Sequence, residues 1–105
     1  MGKMANDRLE LHELLCQTLG SRNVYFQPPE SVKMKYPAIK YSRDKINNTS
    51  ADNITYKQDV GYLITVIDRD PDSEIVERVS QIPHIMHDRH YVADNLNHDV
   101  YTLYV

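Results

Sequence analysis

Asp70-Pro71-Asp72-Ser73-Glu74-Ile75-Val76-Glu77-Arg78-Val79-Ser80-Gln81-Ile82-Pro83 reads as one short helix with its punctuation. Asp70 is placed to cap it, Pro71 suits the first helical position because no N–H is needed there, and Asp72 and Glu74 set negative charge at the positive end of the dipole. Ile75, Val79 and Ile82, with Val76 beside them, give the buried stripe, and Pro83 stops the helix. Two strands are expected after it, 85–91 and 100–105, around Ala93-Asp94-Asn95-Leu96-Asn97, whose Asp and Asn residues tolerate turn angles. A segment that closes on paired strands rather than on a catalytic loop points to a small scaffold that works through its surfaces.

Upstream, Tyr56 to Asp68 is the longest strand candidate: Tyr62, Ile64 and Val66 fall on one face and Leu63, Thr65 and Ile67 on the other. Apolar groups on both faces require cover on both sides, and so short a chain has helices for only one. The second face is therefore expected to be buried by a neighbouring subunit, or to curve onto itself as a small barrel.

The first helix is expected from about Arg8 to Leu19. Asp7 and Glu10 make a capping box, Leu11, Leu14, Leu15 and Leu19 a stripe, and Gly20 a left-handed stop. Asn23 to Gln27 is a short extended run ended by Pro28-Pro29, and a loop should follow to residue 35. Tyr36 to Tyr41 alternates as a strand, with Pro37 holding it to an edge or to the start of its ladder. Arg43 to Asn53 is polar without periodicity and is expected to be an exposed loop. The sum is a two-layer α+β domain, a mainly antiparallel sheet of four to five strands packed against two helices.

With 105 residues there is one domain, 1–105, and one core. The formal charge is -3, and the single cysteine, Cys16, permits no internal disulfide, which suits a reducing compartment. No stretch has the length and apolarity of a membrane span, so a cytoplasmic protein is expected. Eight tyrosines against one phenylalanine suit half-buried sheet faces and interfaces alike.

Catalytic chemistry finds little support. His84, His87, His90 and His98 with Asp88 and Asp99 invite a metal, but an extended chain puts His84 and His90 on one face and His87 on the other. Surface or turn histidines, or hydrogen bonds across the hairpin, fit better, and a metal would require that alternation to fail. Cys16 lies among leucines as a small apolar group. Asp68, Asp70, Asp72 and Glu74 lack the glycine turn and closing glutamate of a calcium loop, and the three glycines form no phosphate loop. No catalytic residue, cofactor or metal site is expected.

Charge is distributed unevenly. Residues 31–57 carry six basic and two acidic groups, whereas 58–77 carry one basic and six acidic. Opposite patches allow the basic region of one copy to face the acidic region of the next, a heterologous contact that closes into a ring or runs on as a filament. The candidate contact residues are Tyr62, Leu63, Ile64, Thr65, Val66 and Ile67, with Lys40, Arg43 and Lys45 for the basic side and Asp68 and Asp70 for the acidic side. A net acidic domain is a poor candidate for a dedicated nucleic-acid binder.

Three stretches carry a resemblance: Asn23-Val24-Tyr25-Phe26-Gln27-Pro28-Pro29-Glu30, Val66-Ile67-Asp68-Arg69-Asp70-Pro71-Asp72-Ser73 and, most distinctively, Asp88-Arg89-His90-Tyr91-Val92-Ala93-Asp94-Asn95-Leu96-Asn97-His98-Asp99-Val100-Tyr101. Together they resemble the small tail-completion or tail-terminator proteins of long-tailed phages and prophages of Gram-positive bacteria. The resemblance implies a two-layer α+β subunit in a hexameric ring that ends the tail tube and offers the filled head its docking surface. The implied partners are other copies of itself, the tube protein and the head-closure or connector proteins, with DNA passing through the lumen. Assembly would occur in the host cytoplasm and the product would sit at the head-tail junction of the virion. A head-closure or adaptor protein of the connector is the alternative, and a small metal-binding enzyme a remote one.

Overall fold

The computed structural model describes residues 3–51 and 55–104, and the side chains of 8–45 and 60–104. Its elements run α1 (Lys3–Leu19), β1 (Val24–Phe26), β2 (Ala38–Ala51), β3 (Thr55–Asp68), α2 (Glu74–Ser80), β4 (Met86–Ala93) and β5 (Leu96–Tyr104). One five-stranded sheet has the order β1-β2-β3-β5-β4, antiparallel except for the β1–β2 pair. Both helices lie on one face, giving the expected two-layer α+β fold. Leu11, Leu15 and Leu19 of α1 and Ile75 and Val79 of α2 close over Ile39, Tyr41, Tyr62, Ile64, Val66, Tyr101 and Leu103.

Each helix departs from its expected start. α1 begins at Lys3, so Asp7 lies inside it rather than at a cap, and Leu14 is turned outward beyond the Leu11–Leu15–Leu19 stripe. Gly20 takes the left-handed stop at φ +84°. α2 begins at Glu74, with Ser73 as its cap, because the acids ahead of it are engaged otherwise. Asp68 Oδ1 accepts from the Asp70 N–H at 3.1 Å, and Asp70 Oδ1 accepts from the Asp72 N–H at 2.9 Å. These side-chain turns hold Pro71 outside the helix.

Two expectations about the sheet are corrected. Residues 43–51 are strand, not loop: β2 continues to Ala51 and pairs in register with β3 as far as Ala51 opposite Thr55. The second face of β3 is covered by the chain itself. Because β1 and β2 are parallel neighbours, the connection between them must cross a face, and residues 27–37 cross the one without helices. Thr65 and Ile67 are as buried as the residues on the helical face, and Leu63 alone of the three stays half-buried. A neighbouring subunit is not needed to shelter this face. Pro37 stands just ahead of β2, which is an inner strand with its proline outside the ladder.

Candidate assembly surface

The β2–β3 hairpin outruns its neighbours. β1 pairs β2 only as far as Tyr41, and β5 pairs β3 only from Gly61 onward, so 45–51 and 55–60 have only each other as strand partners among the described residues. Seven residues of strand make an arm of roughly 23 Å at ~3.3 Å per residue. Its base is built from three local features. Asp44 is an extra residue in β2, between the paired Arg43 and Lys45, and a bulge bends a strand. Gly61 faces Tyr104, whose ring lies where a side chain would be: an added Cβ would stand 2.9 Å from it. Lys45 completes the stack with its ammonium 5.8 Å from that ring, and the Tyr104 hydroxyl raises the Lys45 pKa above its ordinary value.

On the helix-free face the crossing segment leaves an open groove of about 480 Å³. Its floor includes Leu63, Thr65 and Val100, its walls Pro28, Val32 and Met34 on one side and Arg89 and Tyr91 on the other, and Lys40 enters it from β2.

These features sort the residues expected at an interface. Tyr62, Ile64 and Val66 are core residues beneath the helices, and Thr65 and Ile67 are buried on the opposite face. Lys40 and Leu63 reach the groove, while Arg43 and Lys45 stand exposed at the base of the arm. Asp70 is exposed and Asp68 half-buried at the far end of β3, seven residues or roughly 23 Å from Gly61. Arg43 and Lys45, on β2 opposite Tyr62 and Gly61, thus lie well along the ladder from Asp68 and Asp70 rather than at one site with them, and Lys40, opposite Thr65, lies between. Asp68 is also bound locally, its Oδ2 accepting from the Ser73 hydroxyl at 2.6 Å.

The histidines do not keep the expected alternation. Asp88 is an extra residue in β4, so His87 lies opposite Tyr101 and His90 opposite Asp99, both on the helical face. They are used across the hairpin. His87 Nε2 lies 3.1 Å from Asp99 Oδ1 and His90 Nε2 3.3 Å from Asn97 Oδ1, while His98 stacks on Tyr91 with ring centres 4.6 Å apart. Asn97 gives both amide hydrogens to the Asp68 and Arg69 carbonyls, so His90 is the donor in its bond. No group of three or more metal-ligating side chains converges among the described residues. Cys16 is buried, and burial pushes its thiol pKa up, away from nucleophilic character. No described helix is long and apolar enough to cross a membrane.

The feature that sequence reasoning missed is the β4 edge. β5 covers one side of β4, nothing described pairs with the other, and all eight of its residues are exposed. Met86, Tyr91 and Val92 are three of the five large apolar residues exposed on the described surface. The signal lay in alternation that could not tell an inner strand from an outer one.

No protein-family model matches the chain, and no curated protein matches it.

Proposed function

We propose that this chain is a structural protein of virion assembly, a ring subunit, hexameric in the complete particle, that ends a phage tail tube and presents the surface to which the head joins. The observation that carries the reading is the arm. A two-stranded hairpin with no third strand beside it is marginal on its own in water, and so long a one is best accounted for by a surface it meets on assembly. The sequence resemblance supplies the context. The separation of charge supports a head-to-tail contact: Arg43 and Lys45 at the base of the arm can meet the Asp68–Asp72 end of the next copy, and such a contact closes into a ring. In this reading the ring stops the tube because its tube-side face imitates a tube subunit while its other face does not. DNA passes through the lumen without sequence-specific contacts, and the mature location is the head-tail junction.

Mass measurement at tens of micromolar, alone and mixed with tube protein, tests this. A hexamer in either condition is expected, and persistent monomer in both would defeat the reading. Electron microscopy of particles made without the protein separates the two connector roles. Overlong tails beside full, unjoined heads mark termination, whereas normal detached tails beside leaking heads move the role to head closure.

A further inference from the structure

The β4 edge carries a pattern that the ring reading does not use. We propose that β4 pairs with β4 of a second copy, antiparallel and about a two-fold axis between Asp88 and Arg89, joining two five-stranded sheets edge to edge.

Four observations converge on this occupant. The outer backbone groups of β4 have no strand neighbour among the described residues, so the strand is a template for another. Its exposed side chains are self-complementary in one register: Asp88 faces the partner's Arg89, His87 the partner's His90 and Met86 the partner's Tyr91. A slip of one residue either way sets Asp88 against Asp88 or Arg89 against Arg89, and like charges directly opposite destabilise a pair. The bulge decides whether the faces agree. In a regular strand, residues an odd number apart point to opposite faces, so Met86 and Tyr91 could not meet across this axis. With Asp88 as the extra residue, Met86 lies opposite Thr102 and Tyr91 opposite His98, both on the helix-free face, and His87 and His90 share the helical face.

Within one chain Arg89 and Asp88 are only loosely paired, at 3.9 Å, with side chains 63% and 52% exposed. Arg89 also lies over the Tyr91 ring, 5.9 Å from its centre, and both charged groups stay exposed enough to meet a partner. An edge guarded against pairing would present charge without apolar groups, yet this one exposes Met86, Tyr91 and Val92 alongside the charged pair. A two-fold contact closes on itself, so it is distinct from the head-to-tail contact of a ring and stands without it.

Sedimentation equilibrium across 5 to 200 μM (about the range that a weak edge contact needs) tests the proposal with a charge-swap cycle. The wild type should form a dimer, or a pair of joined rings wherever the ring assembles without the tube. Arg89→Asp alone, and Asp88→Arg alone, should each weaken it by about tenfold or more, since two facing pairs become repulsive. The double variant Asp88→Arg with Arg89→Asp restores opposite charges in the same register and should restore the dimer. Thermal midpoints of all four proteins, taken at a concentration low enough that each is monomeric, should agree, because neither side chain is buried. Wild type that stays monomeric at the highest concentration overturns the proposal. So does a dimer indifferent to Arg89→Asp, or a double variant that fails to recover.

Discussion

At the scale of residues, the Tyr41 hydroxyl is a closely held polar group, carried by a residue that is 1% exposed. Arg8 donates to it at 3.2 Å and His12 Nδ1 lies 2.7 Å away, where a neutral imidazole can accept the hydroxyl hydrogen. Arg8 also lies over the Phe26 ring, 4.5 Å from its centre. Burial, then the charges of Arg22 and Arg8, lower the His12 pKa, with Glu13 opposing them; the fold therefore favours the neutral ring. The unfolded chain then binds more protons in the window between the lowered value and the ordinary one near 6.5, so stability rises with pH there and falls on acidification through it. Glu13 is held by Arg22 below the usual carboxylate range and contributes only at lower pH, which keeps the two effects apart. Melting curves at pH 7.5 and at about pH 5.5 (chosen to straddle the imidazole range) check this. His12→Gln, which keeps an acceptor for Tyr41, should show a smaller loss of Tm on acidification than wild type. Tyr41→Phe at pH 7.5 should cost about 1 kcal/mol, the net worth of one buried hydroxyl whose partners can turn to water.

At the scale of elements, Ser73 fixes where α2 begins. Its hydroxyl oxygen accepts from the Ile75 N–H at 3.1 Å and its hydrogen goes to Asp68 at 2.6 Å, with the residue 6% exposed. Ser73→Ala should lose about 1–2 kcal/mol in denaturant titration, the cap and the carboxylate's partner going together. Ser73→Asp separates this site from an ordinary cap: aspartate caps as well as serine on an isolated helix, but here it would face Asp68 and should be at least as damaging as alanine, whereas Ser73→Thr should be mild. The same element shows what could be read from sequence. The stripe of Ile75 and Val79, the stop before Pro83 and the turn at Asp94-Asn95, both at positive φ, are local in origin and were legible. The start of α2 was not, because Asp70 and Ser73 are both good caps and the choice rests on Asp68, supplied by the end of β3. The bulges at Asp44 and Asp88 were hidden for a related reason. An extra residue changes which face every later side chain takes while leaving composition untouched, and it was this that put His87 and His90 on one face.

At the scale of the whole molecule, the sheet divides into a body closed on both faces and an arm that leaves it. Polar sequence from Arg43 onward imitates a loop because a ladder held by backbone hydrogen bonds does not require apolar alternation in its sequence, so the longest hairpin was the least legible part of the fold. The second face misled in the opposite sense: Leu63, Thr65 and Ile67 do need cover, but a crossing segment without periodicity provides it. The division has a consequence for stability. The contiguous core ends at Tyr41, Val60 and Tyr62, and the Gly61–Tyr104 stack with Lys45 closes the sheet at that level. Replacing 47–59 with a two-residue Asn-Gly turn, which keeps Ile46 and Val60 as the last cross-strand pair, should therefore leave the body folded, with a Tm within about 5 °C of wild type. Capping of the tube should be lost, because the shortened protein keeps the β4 edge and the groove but not its reach. If the shortened chain unfolds, the arm belongs to the core; if it folds and still limits tail length in assembly reactions, the arm is not the element through which the protein meets the tube.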